Sequence, residues 1–435
     1  MDVSTLAIII LIGGFFLLML LKVPVSFAML LATLGSALVA GTALSDIVNQ
    51  MISGVKSFSL LAIPFFILMG EFMSAGGISD KIVAFANLMV GRFQGGLAYV
   101  NCLDSMFFGG VSGSAVADVS SLGSVVIPMM KEAGYDEDFA VGLTVTTACQ
   151  GLLIPPSHNM VIYALAAGGG VTVGSLFMAG AVPGVLLGLS ILLYCFAVRK
   201  KYNFPVGRGA PKGQRLKTVI DAILPMMTLV IILGGMALGI FTATEAAAVS
   251  CIYTFILTYF VFRSAKLRDI GTVFKNALKT LAIVLTLISV AKAFAFMMVT
   301  LRVPDMLTTF LVGVTSNKIV LLLIINVLLL VLGCFMDMAP LIMIMTPILL
   351  PVVTGPAIGL SPVHFGIIMI FNLAIGLCTP PVGSALFVGC AVGKTPIERT
   401  SKKMLPLYGV MVVGLFVITF LPIVSMWLPT ALGMV

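Results

Sequence analysis

Charged residues are scarce in this chain of 435 residues: Lys, Arg, Asp and Glu make up 9% of it, against about 25% in ordinary soluble domains. Hydrophobic residues make up 60% of the chain. Polar side chains are therefore too few to cover a water-exposed surface of this size. The composition excludes a disordered chain, a coiled coil, a collagen and a soluble enzyme. It predicts an all-α polytopic membrane protein embedded in a lipid bilayer.

Paired cysteines, clustered histidines and a cleavable leader are also lacking. The seven cysteines lie in apolar stretches without a CxxC pair, so we predict neither a disulfide framework nor a metal cluster. The apolar stretch from Val3 to Leu21 has no basic leader and no A-x-A cleavage site, which indicates a retained first span. The net charge of +8 comes without basic runs interleaved with aromatic residues. Nucleic acid is therefore not an expected partner.

Long apolar runs dominate what is present, and about 20 such residues cross a ~30 Å hydrocarbon layer as a helix. We predict simple spans at 4–21, 23–43, 58–75, 175–198, 219–240, 245–262, 280–300 and 404–422. Two longer apolar regions contain Gly, Pro and small polar residues in their middle. We interpret each of them as a re-entrant hairpin followed by a broken crossing, with hairpins at 98–130 and 319–353 and broken crossings at 139–167 and 363–393. The prediction has about ten crossings, two of them broken, and two hairpins.

Basic loops set the orientation, because Lys and Arg accumulate on the cytoplasmic side. The segment 199–217 is the most basic part of the chain, and we predict it to be a cytoplasmic linker that includes Arg208 and Lys212. This choice also places the clusters that begin at Arg263 and Lys394 inside, and both termini outside in the periplasm.

The linker divides the chain into two halves of the same plan. The first half, 1–198, is predicted to have scaffold spans within 4–75, a hairpin, a broken crossing and a closing span at 175–198. The second half, 218–435, is predicted to have scaffold spans within 219–300, then the same three parts, ending with the span 404–422. The first half starts outside and the second starts inside, so we predict an inverted repeat.

Self-similarity between the two irregular regions supports this repeat. The sequence GLLIPP at 151–156 is answered by GLCTPP at 376–381. Asp118 precedes a proline at the same spacing as Asp337 does. A single Pro-Pro pair is commonly only a kink. Two such pairs at matched points of inverted halves instead indicate the binding site of a secondary transporter.

Broken helices suit ion binding. Proline removes a backbone donor and frees carbonyl groups, and in hydrocarbon such carbonyls are tolerated only where they line a cavity or meet an ion. Half-helix N-termini attract an anion, while carbonyl and hydroxyl oxygens coordinate Na⁺. The expected hairpin tips, 112–114 and 333–337, add small residues and oxygen atoms. Asp337 is an intramembrane acid and hence a functional candidate by default.

At these motifs the chain resembles the DctM-like family, the large permease subunits of TRAP (tripartite ATP-independent periplasmic) transporters. The resemblance extends over nearly the whole length and is carried by SFSLLAIPFFILMGEFMSAGG (57–77), SGSAVADVSSLGSVVIPMM (112–130), LLIPPSHNMVIYALAAGGG (152–170), GIFTATEAAAVS (239–250) and GLCTPPVGSALFVGCAVG (376–393). It implies an elevator-type, Na⁺-coupled importer of organic acids in the bacterial inner membrane. The implied partners are a periplasmic binding protein and a small four-helix membrane subunit.

The resemblance also implies which residues bind sodium and what is transported. Carried over by position, the Na⁺-site candidates are Ser112, Gly113, Ser114, Pro155, Gly333, Asp337, Thr379 and Pro380. The sequence SHN at 157–159 departs from the family's more hydrophobic continuation and is similar to the sialic-acid branch. Sialic acid is therefore the favoured substrate, and a C4-dicarboxylate or another carboxylate stays open.

An acid substrate needs a counter-charge or donors within the membrane. The candidates are His158, Asn159, Lys292, Arg302 and Lys56. Lys292 is the only lysine deep in a predicted span, although a lysine there can also snorkel to the interface. Arg302 also fits an interfacial anchor, and His158 a structural histidine. Glu71 and Glu245 are interpreted as scaffold residues.

Three other functions compete with transport. The sequence GVSG at 110–113 matches the GxSG motif of rhomboid-like intramembrane serine proteases, with Ser112 as nucleophile. A primary pump is disfavoured because Gly393-Lys394-Thr395 lacks the earlier glycine of a P-loop, Val388 standing in its place. A channel would need a continuous polar pore, whereas the inverted repeat with two broken helices favours alternating access. We predict a secondary transporter and not an enzyme.

Overall fold

The structure is a computed structural model that describes residues 3–207, 215–315, 317–356 and 358–435. The side chains of Ser59, Val111, Ser112, Leu311 and Val312 also lie outside what it describes. All regular secondary structure in the described ranges is helical, apart from one isolated β-bridge between Gln94 and Val206. The predicted all-α fold is confirmed. Arg208 and Lys212 of the predicted linker fall outside the described residues.

The helices follow one another with short connections. Those before the linker are α1 Val3–Leu20, α2 Val25–Ala40, α3 Leu44–Val55, α4 Ala62–Ala75, α5 Ile78–Val90, α6 Gly96–Ser112, α7 Ala115–Glu132, α8 Glu137–Ala148, α9 His158–Ala166 and α10 Val173–Val198. Those after it are α11 Arg215–Ala237, α12 Ala243–Val261, α13 Ile270–Thr300, α14 Val303–Val314, α15 Lys318–Phe335, α16 Met338–Thr354, α17 Pro362–Leu377, α18 Ser384–Gly393, α19 Ile397–Phe420 and α20 Ile423–Ala431.

Within the described ranges, seven helices are long and apolar enough to cross a membrane: α1, α10, α11, α12, α13, α15 and α19. An eighth span arises only if α4 and α5, which meet at an angle of 71°, act as one. The prediction of a polytopic membrane protein is confirmed. The count of ten crossings stays a prediction, and so does the division into two inverted halves.

Some helices differ from the sequence prediction. The sequence does not predict α3, α5, α14 and α20 as separate helices, because hydropathy over about twenty residues identifies long apolar helices and not short or amphipathic ones. In α3, for example, Asp46, Asn49 and Gln50 interrupt the hydrophobic run. Helix α13 has 31 residues, whereas the sequence predicts a span only at 280–300.

Side-chain caps mark where several helices begin, because the first N–H groups of a helix have no partner within it. Ser114 Oγ accepts from the Ala117 N–H at the start of α7. At the start of α12, Thr242 and Glu245 form a reciprocal capping box. The starts of these two helices are thus fixed locally by polar residues that interrupt the apolar runs.

The first helices of the two predicted broken crossings lie at the centre of the protein. In α17, all residues from Val363 to Leu377 are buried, and in α8 all residues from Asp138 to Ala148 are buried. Helices α6, α7 and α19 pack around α8, and α15, α16 and α19 pack around α17. Polar groups within α8 and α17 are therefore shielded from both lipid and water.

Candidate functional site

The break in the first half separates α8 from α9. Helix α8 continues into a 3₁₀ turn over Cys149–Leu152, and α9 begins only at His158. Residues 151–157, which include both prolines, are buried, and the Pro155–Pro156 peptide bond is cis. Because neither proline has an N–H group, neither can donate a helical hydrogen bond to a carbonyl group of the preceding turn.

The tip of the α6–α7 hairpin lies directly against this break. A Cβ atom added to Gly109 of α6 would be 2.2 Å from the Cα of Gly151, so only glycine permits this close approach. At the tip, Gly113 has a φ of +62°, and an added Cβ would lie 2.7 Å from the carbonyl oxygen of Pro156. The structure therefore brings Gly113 and the proline pair together, as the sodium-site prediction requires.

Two polar atoms at this junction lack a hydrogen-bond partner among the described residues. Ser157 Oγ is fully buried and unpartnered, and so is Nε2 of His158. The other ring nitrogen of His158, Nδ1, is 3.4 Å from the Gly113 carbonyl oxygen. The sequence prediction included His158 but missed Ser157, although its position directly after the proline pair was the available signal. The Ser112 backbone ends α6, and its side chain is outside the described structure.

The second half has a junction built the same way. Helix α17 ends at Leu377 and α18 begins at Ser384, and the Pro380–Pro381 peptide bond between them is cis. A Cβ atom added to Gly376 would be 2.7 Å from the Cα of Gly333 in α15. The Val382 N–H donates to the Cys334 carbonyl at 3.1 Å. The hairpin tip and the break are thus joined backbone to backbone.

Oxygen atoms of the remaining sodium-site candidates lie at this second junction. Asp337 occupies the N-cap of α16, and its Oδ1 accepts from Ser384 Oγ at 3.4 Å. The Thr379 hydroxyl donates to the Ile375 carbonyl at 2.7 Å, which leaves its oxygen lone pairs available. Carboxylate, hydroxyl and freed carbonyl oxygens are the donors that sodium sites in broken helices use. The residues present therefore fit a Na⁺ ion.

The spacing match between Asp118 and Asp337 does not correspond to equivalent structural positions. Asp337 is the N-cap residue of α16, whereas the N-cap of α7 is Ser114. Asp118 lies one turn further along α7, with Oδ2 2.7 Å from where a Cβ on Gly151 would be. The sequence match is therefore offset by one helical turn. Such an offset leaves the pattern of buried positions unchanged, because residues four apart lie on the same face of a helix.

The two junctions adjoin each other at the centre of the protein. Helix α18 of the second half packs against α7 and α8 of the first. A Cβ atom on Gly389 of α18 would be 2.3 Å from a methyl group of Val145, which shows how close this packing is. Groups from both halves therefore border one shared central region.

A cavity of about 680 Å³ lies between two groups of helices. One wall comes from α3, α11, α12 and α13, and includes Ser53, Thr242 and Lys292. The other comes from α9, α10, α16 and the glycine-rich segment 168–174. Lys292 is the one charged residue among the described residues that line the cavity, and no carboxylate of the described chain forms a salt bridge with it.

The other substrate candidates lie elsewhere. His158 and Asn159 begin α9 at the first break, and neither lines the cavity. Lys56 follows α3 and is exposed, and Arg302 forms the turn between α13 and α14 with a φ of +54°. The structure therefore does not bring these four side chains and Lys292 into one site.

Comparison with known proteins gives the family. Residues 12–424 match the family model described as the DctM component of tripartite ATP-independent periplasmic transporters. The chain is 40% identical, over 96% of its length, to the isethionate TRAP transporter permease DctMQ of Oleidesulfovibrio alaskensis, a longer protein of which it covers 66%. It is 36% identical to the sialic acid permease SiaM of Vibrio cholerae, covering 96% of this chain and 97% of SiaM. It is 35% identical to the C4-dicarboxylate permease DctM of Rhodobacter capsulatus, covering 98% and 99%.

The fold is also found among solved transporters. The YdaH transporter of Alcanivorax borkumensis superposes with a TM-score of 0.61 over 87% of this chain and 88% of YdaH, at 14% sequence identity. The alternative of a serine protease that uses Ser112 is not supported, because the matched family consists of transporter permeases. This chain is a transporter subunit and not an enzyme, and it belongs to the DctM family of TRAP transporter large permeases.

Proposed function

We propose that this protein is the membrane permease of a Na⁺-coupled importer that moves its substrate by an elevator motion. The observation that carries the proposal is the pair of junctions in which a hairpin tip lies against a broken helix, once in each half. In both, a glycine of the hairpin contacts a glycine four residues before the proline pair, Gly109 with Gly151 and Gly333 with Gly376. Two oxygen-rich helix breaks of this kind suit cation binding within a membrane.

The proposed substrate is a small organic anion. The named relatives transport isethionate, sialic acid and C4-dicarboxylates, all of which carry negative charge at neutral pH. Lys292 provides an unpaired positive charge in a cavity large enough for such a molecule. Sialic acid is the first substrate to test, because SHN at 157–159 is similar to the sialic-acid branch. The 40% identity to an isethionate permease widens the class from carboxylates to sulfonates.

The proposed mobile unit consists of the hairpins α6–α7 and α15–α16 and the broken crossings α8–α9 and α17–α18. It would slide against a scaffold that includes α1–α5 and α11–α14. The cavity lies between members of these two groups, so a substrate bound there would touch both the fixed and the moving parts. We propose that Na⁺ binds before the substrate. Its binding to carbonyl and hydroxyl oxygens would order the hairpin tips, and the substrate would then bind beside the ordered tips.

Membership of the family implies two partners, a small membrane subunit and a periplasmic binding protein that delivers the substrate. We place the protein in the bacterial inner membrane with the segment 199–217 in the cytoplasm and both termini in the periplasm.

The proposal is tested by transport in proteoliposomes that contain this chain with its small subunit, with the binding protein added outside. Uptake of labelled sialic acid, isethionate and succinate is measured with and without an inward Na⁺ gradient. We expect uptake of one of these anions that requires both the gradient and the binding protein. Uptake that is equal without the Na⁺ gradient would contradict sodium coupling. Acid binding that is undiminished in Na⁺-free buffer would contradict the proposed order.

A further inference from the structure

Asp104 is a carboxylic acid in the interior of the protein that none of the functional assignments above uses. It lies in the middle of α6, one arm of the first hairpin, and its side chain is 0% exposed. Neither of its carboxyl oxygens has a hydrogen-bond partner in the described part of the chain. An ionised carboxylate without donors costs several kcal/mol in such a place. A carboxyl group in this position is therefore stable only if it binds a proton or lies beside a cation.

The surroundings of Asp104 do not supply hydrogen-bond donors. Val100 and Phe108, one turn before and after it on the same face of α6, are both buried and apolar. The polar neighbours Asn101 and Ser105 on α6 are already bonded to α8: Asn101 donates to Thr144 at 2.7 Å, and Ser105 donates to Thr147 at 3.1 Å. A metal ion needs several oxygen ligands, and this apolar face offers few of them. A proton needs only the carboxyl group itself.

The charged groups that act on Asp104 from neighbouring helices are also acids. Asp118 of α7 and Asp80 of α5 both interact electrostatically with it, so neither offers a positive charge to the Asp104 carboxyl group.

The other titratable groups on the helices that pack against α6 are directed elsewhere. Cys102, with Cys195 of α10 beside it, lies two residues away and hence about 200° around the helix from Asp104. Four of the remaining side chains have partners of their own: Lys81 pairs with Asp221 at 3.8 Å, Lys131 with Glu137 at 3.2 Å, Asp138 with Arg399, and Glu71 of α4 with Asn276. No Lys or Arg side chain of the described residues forms a salt bridge with Asp104.

We propose that Asp104 is a proton-binding site of the transport cycle. In the conformation described here the carboxyl group holds a proton. When movement of the hairpin admits water, the O–H bond breaks, the electron pair stays on the carboxylate and the proton passes to water, and reprotonation from water on the other side restores the neutral acid. The part of this inference that concerns transport rests on the proposed function. The protonated state of Asp104 does not.

Infrared spectroscopy of the purified full-length chain in detergent at neutral pH tests the protonated state without any substrate. A protonated carboxyl group has a C=O stretching band that a carboxylate lacks. We expect this band to be weaker in the isosteric variant Asp104→Asn than in the wild type, and unchanged in Asp46→Asn, which alters an exposed acid in α3. Identical bands in the wild type and Asp104→Asn would overturn the proposal.

If Asp104→Asn does not fold, NMR of the wild type with ¹³C-labelled aspartate replaces the infrared comparison. Spectra are compared at neutral and alkaline pH, and the absence of any protonated aspartate at neutral pH would overturn the proposal.

Proton-linked transport is tested in the proteoliposomes described above, with the membrane potential clamped and the Na⁺ gradient fixed. If one proton accompanies each substrate, each unit of pH difference changes the accumulation ratio by about tenfold. We expect this response in the wild type and its loss in Asp104→Asn. An equal response in both would overturn the transport part of the proposal. Absence of anion uptake in every variant would instead count against the proposed importer function and would leave the spectroscopic result standing.

Discussion

Cys149 and Cys378 come from opposite halves of the chain, and their sulfur atoms are 2.8 Å apart in the buried centre of the protein. Cys149 is the first residue after α8, and Cys378 is the first residue after α17. The two thiols therefore mark the point where the two broken crossings meet. Because 228 residues lie between them in the sequence, detecting their contact by experiment tests how the two halves pack against each other.

This contact predicts that a mild oxidant links the two halves covalently. A protease site inserted within residues 208–214 allows the chain to be cut between the halves. After oxidation with a membrane-permeant reagent and cutting, we expect the halves to migrate as one species in denaturing gels, and to separate on reduction. Cys149→Ser should abolish the link, whereas Cys102→Ser, which removes a thiol close to Cys195 within the first half, should not. Halves that separate under all conditions would contradict the packing.

The glycine contacts predict a loss of stability when a methyl group is added. In Gly376→Ala the new Cβ would be 2.7 Å from the Gly333 Cα, and in Gly109→Ala it would be 2.2 Å from the Gly151 Cα. Since backbone atoms cannot rotate away, we expect each variant to lower the free energy of unfolding by about 1–3 kcal/mol. Gly409→Ala in α19, with nothing within 4 Å of its added Cβ, is the control and should be neutral or stabilising. Thermal unfolding in detergent measures all three, and equal midpoints would contradict the close approach.

Lys292 is predicted to bind the anionic group of the substrate. A hydrogen bond to a charged group is worth about 1.5–3 kcal/mol, so we expect Lys292→Gln to raise the KM for uptake roughly 10- to 150-fold. Lys56→Gln is the matched control, because Lys56 is exposed and does not line the cavity. Equal KM values for Lys292→Gln and the wild type would show that the cavity charge does not bind the substrate.

Asp337 is predicted to bind sodium through its carboxylate. Asp337→Asn keeps the shape of the side chain and an oxygen to accept from Ser384, but it removes the negative charge. We expect the Na⁺ concentration for half-maximal uptake to rise by about tenfold, which corresponds to ~1.4 kcal/mol, while Asp46→Asn leaves it unchanged. The measurement is uptake as a function of external Na⁺ at saturating substrate. A rise in both variants would indicate a general effect of surface charge.

The stability of Ser157→Ala, measured with and without Na⁺, distinguishes a serine that binds sodium from a serine that only packs. Its buried hydroxyl lacks a partner in the described structure, so in Na⁺-free buffer Ser157→Ala should be as stable as the wild type or more stable. If the hydroxyl contacts Na⁺, the variant should also lose most of the rise in melting temperature that Na⁺ produces. The control Ser105→Ala breaks the bond to Thr147 and should lose stability in both buffers. A full Na⁺-induced shift in Ser157→Ala would exclude this serine as a ligand.

Hydropathy and the proline pairs could predict much of this fold, because both are local properties of the sequence. The bounds predicted for the hairpin at 98–130 and the broken crossing at 139–167 lie within three residues of the ends of α6–α7 and α8–α9, whereas their course through the membrane stays a prediction. Contacts between distant parts of the chain could not be predicted in the same way. The pairing of Gly333 with Gly376, and that of the two cysteines, depends on how the helices pack.

The site shows the same division between local and non-local information. Ser157 could have been found, since it follows the proline pair directly. Asp104 could not be interpreted from sequence, because its meaning depends on complete burial and on the lack of donors around it. The sequence identifies Lys292 as a lysine within a predicted span, but only the structure shows that its cavity is bordered by segments of both halves.

Helix α13, with 31 residues, is about 46 Å long at 1.5 Å per residue, and a typical hydrocarbon layer is ~30 Å thick. The helix must therefore tilt strongly or project from the membrane, with Lys275 and Lys279 near its first end. Such hydrophobic mismatch is relieved differently in thin and thick bilayers. Since Lys292 lies on this helix, we expect lipid composition to change the depth of its side chain in the membrane.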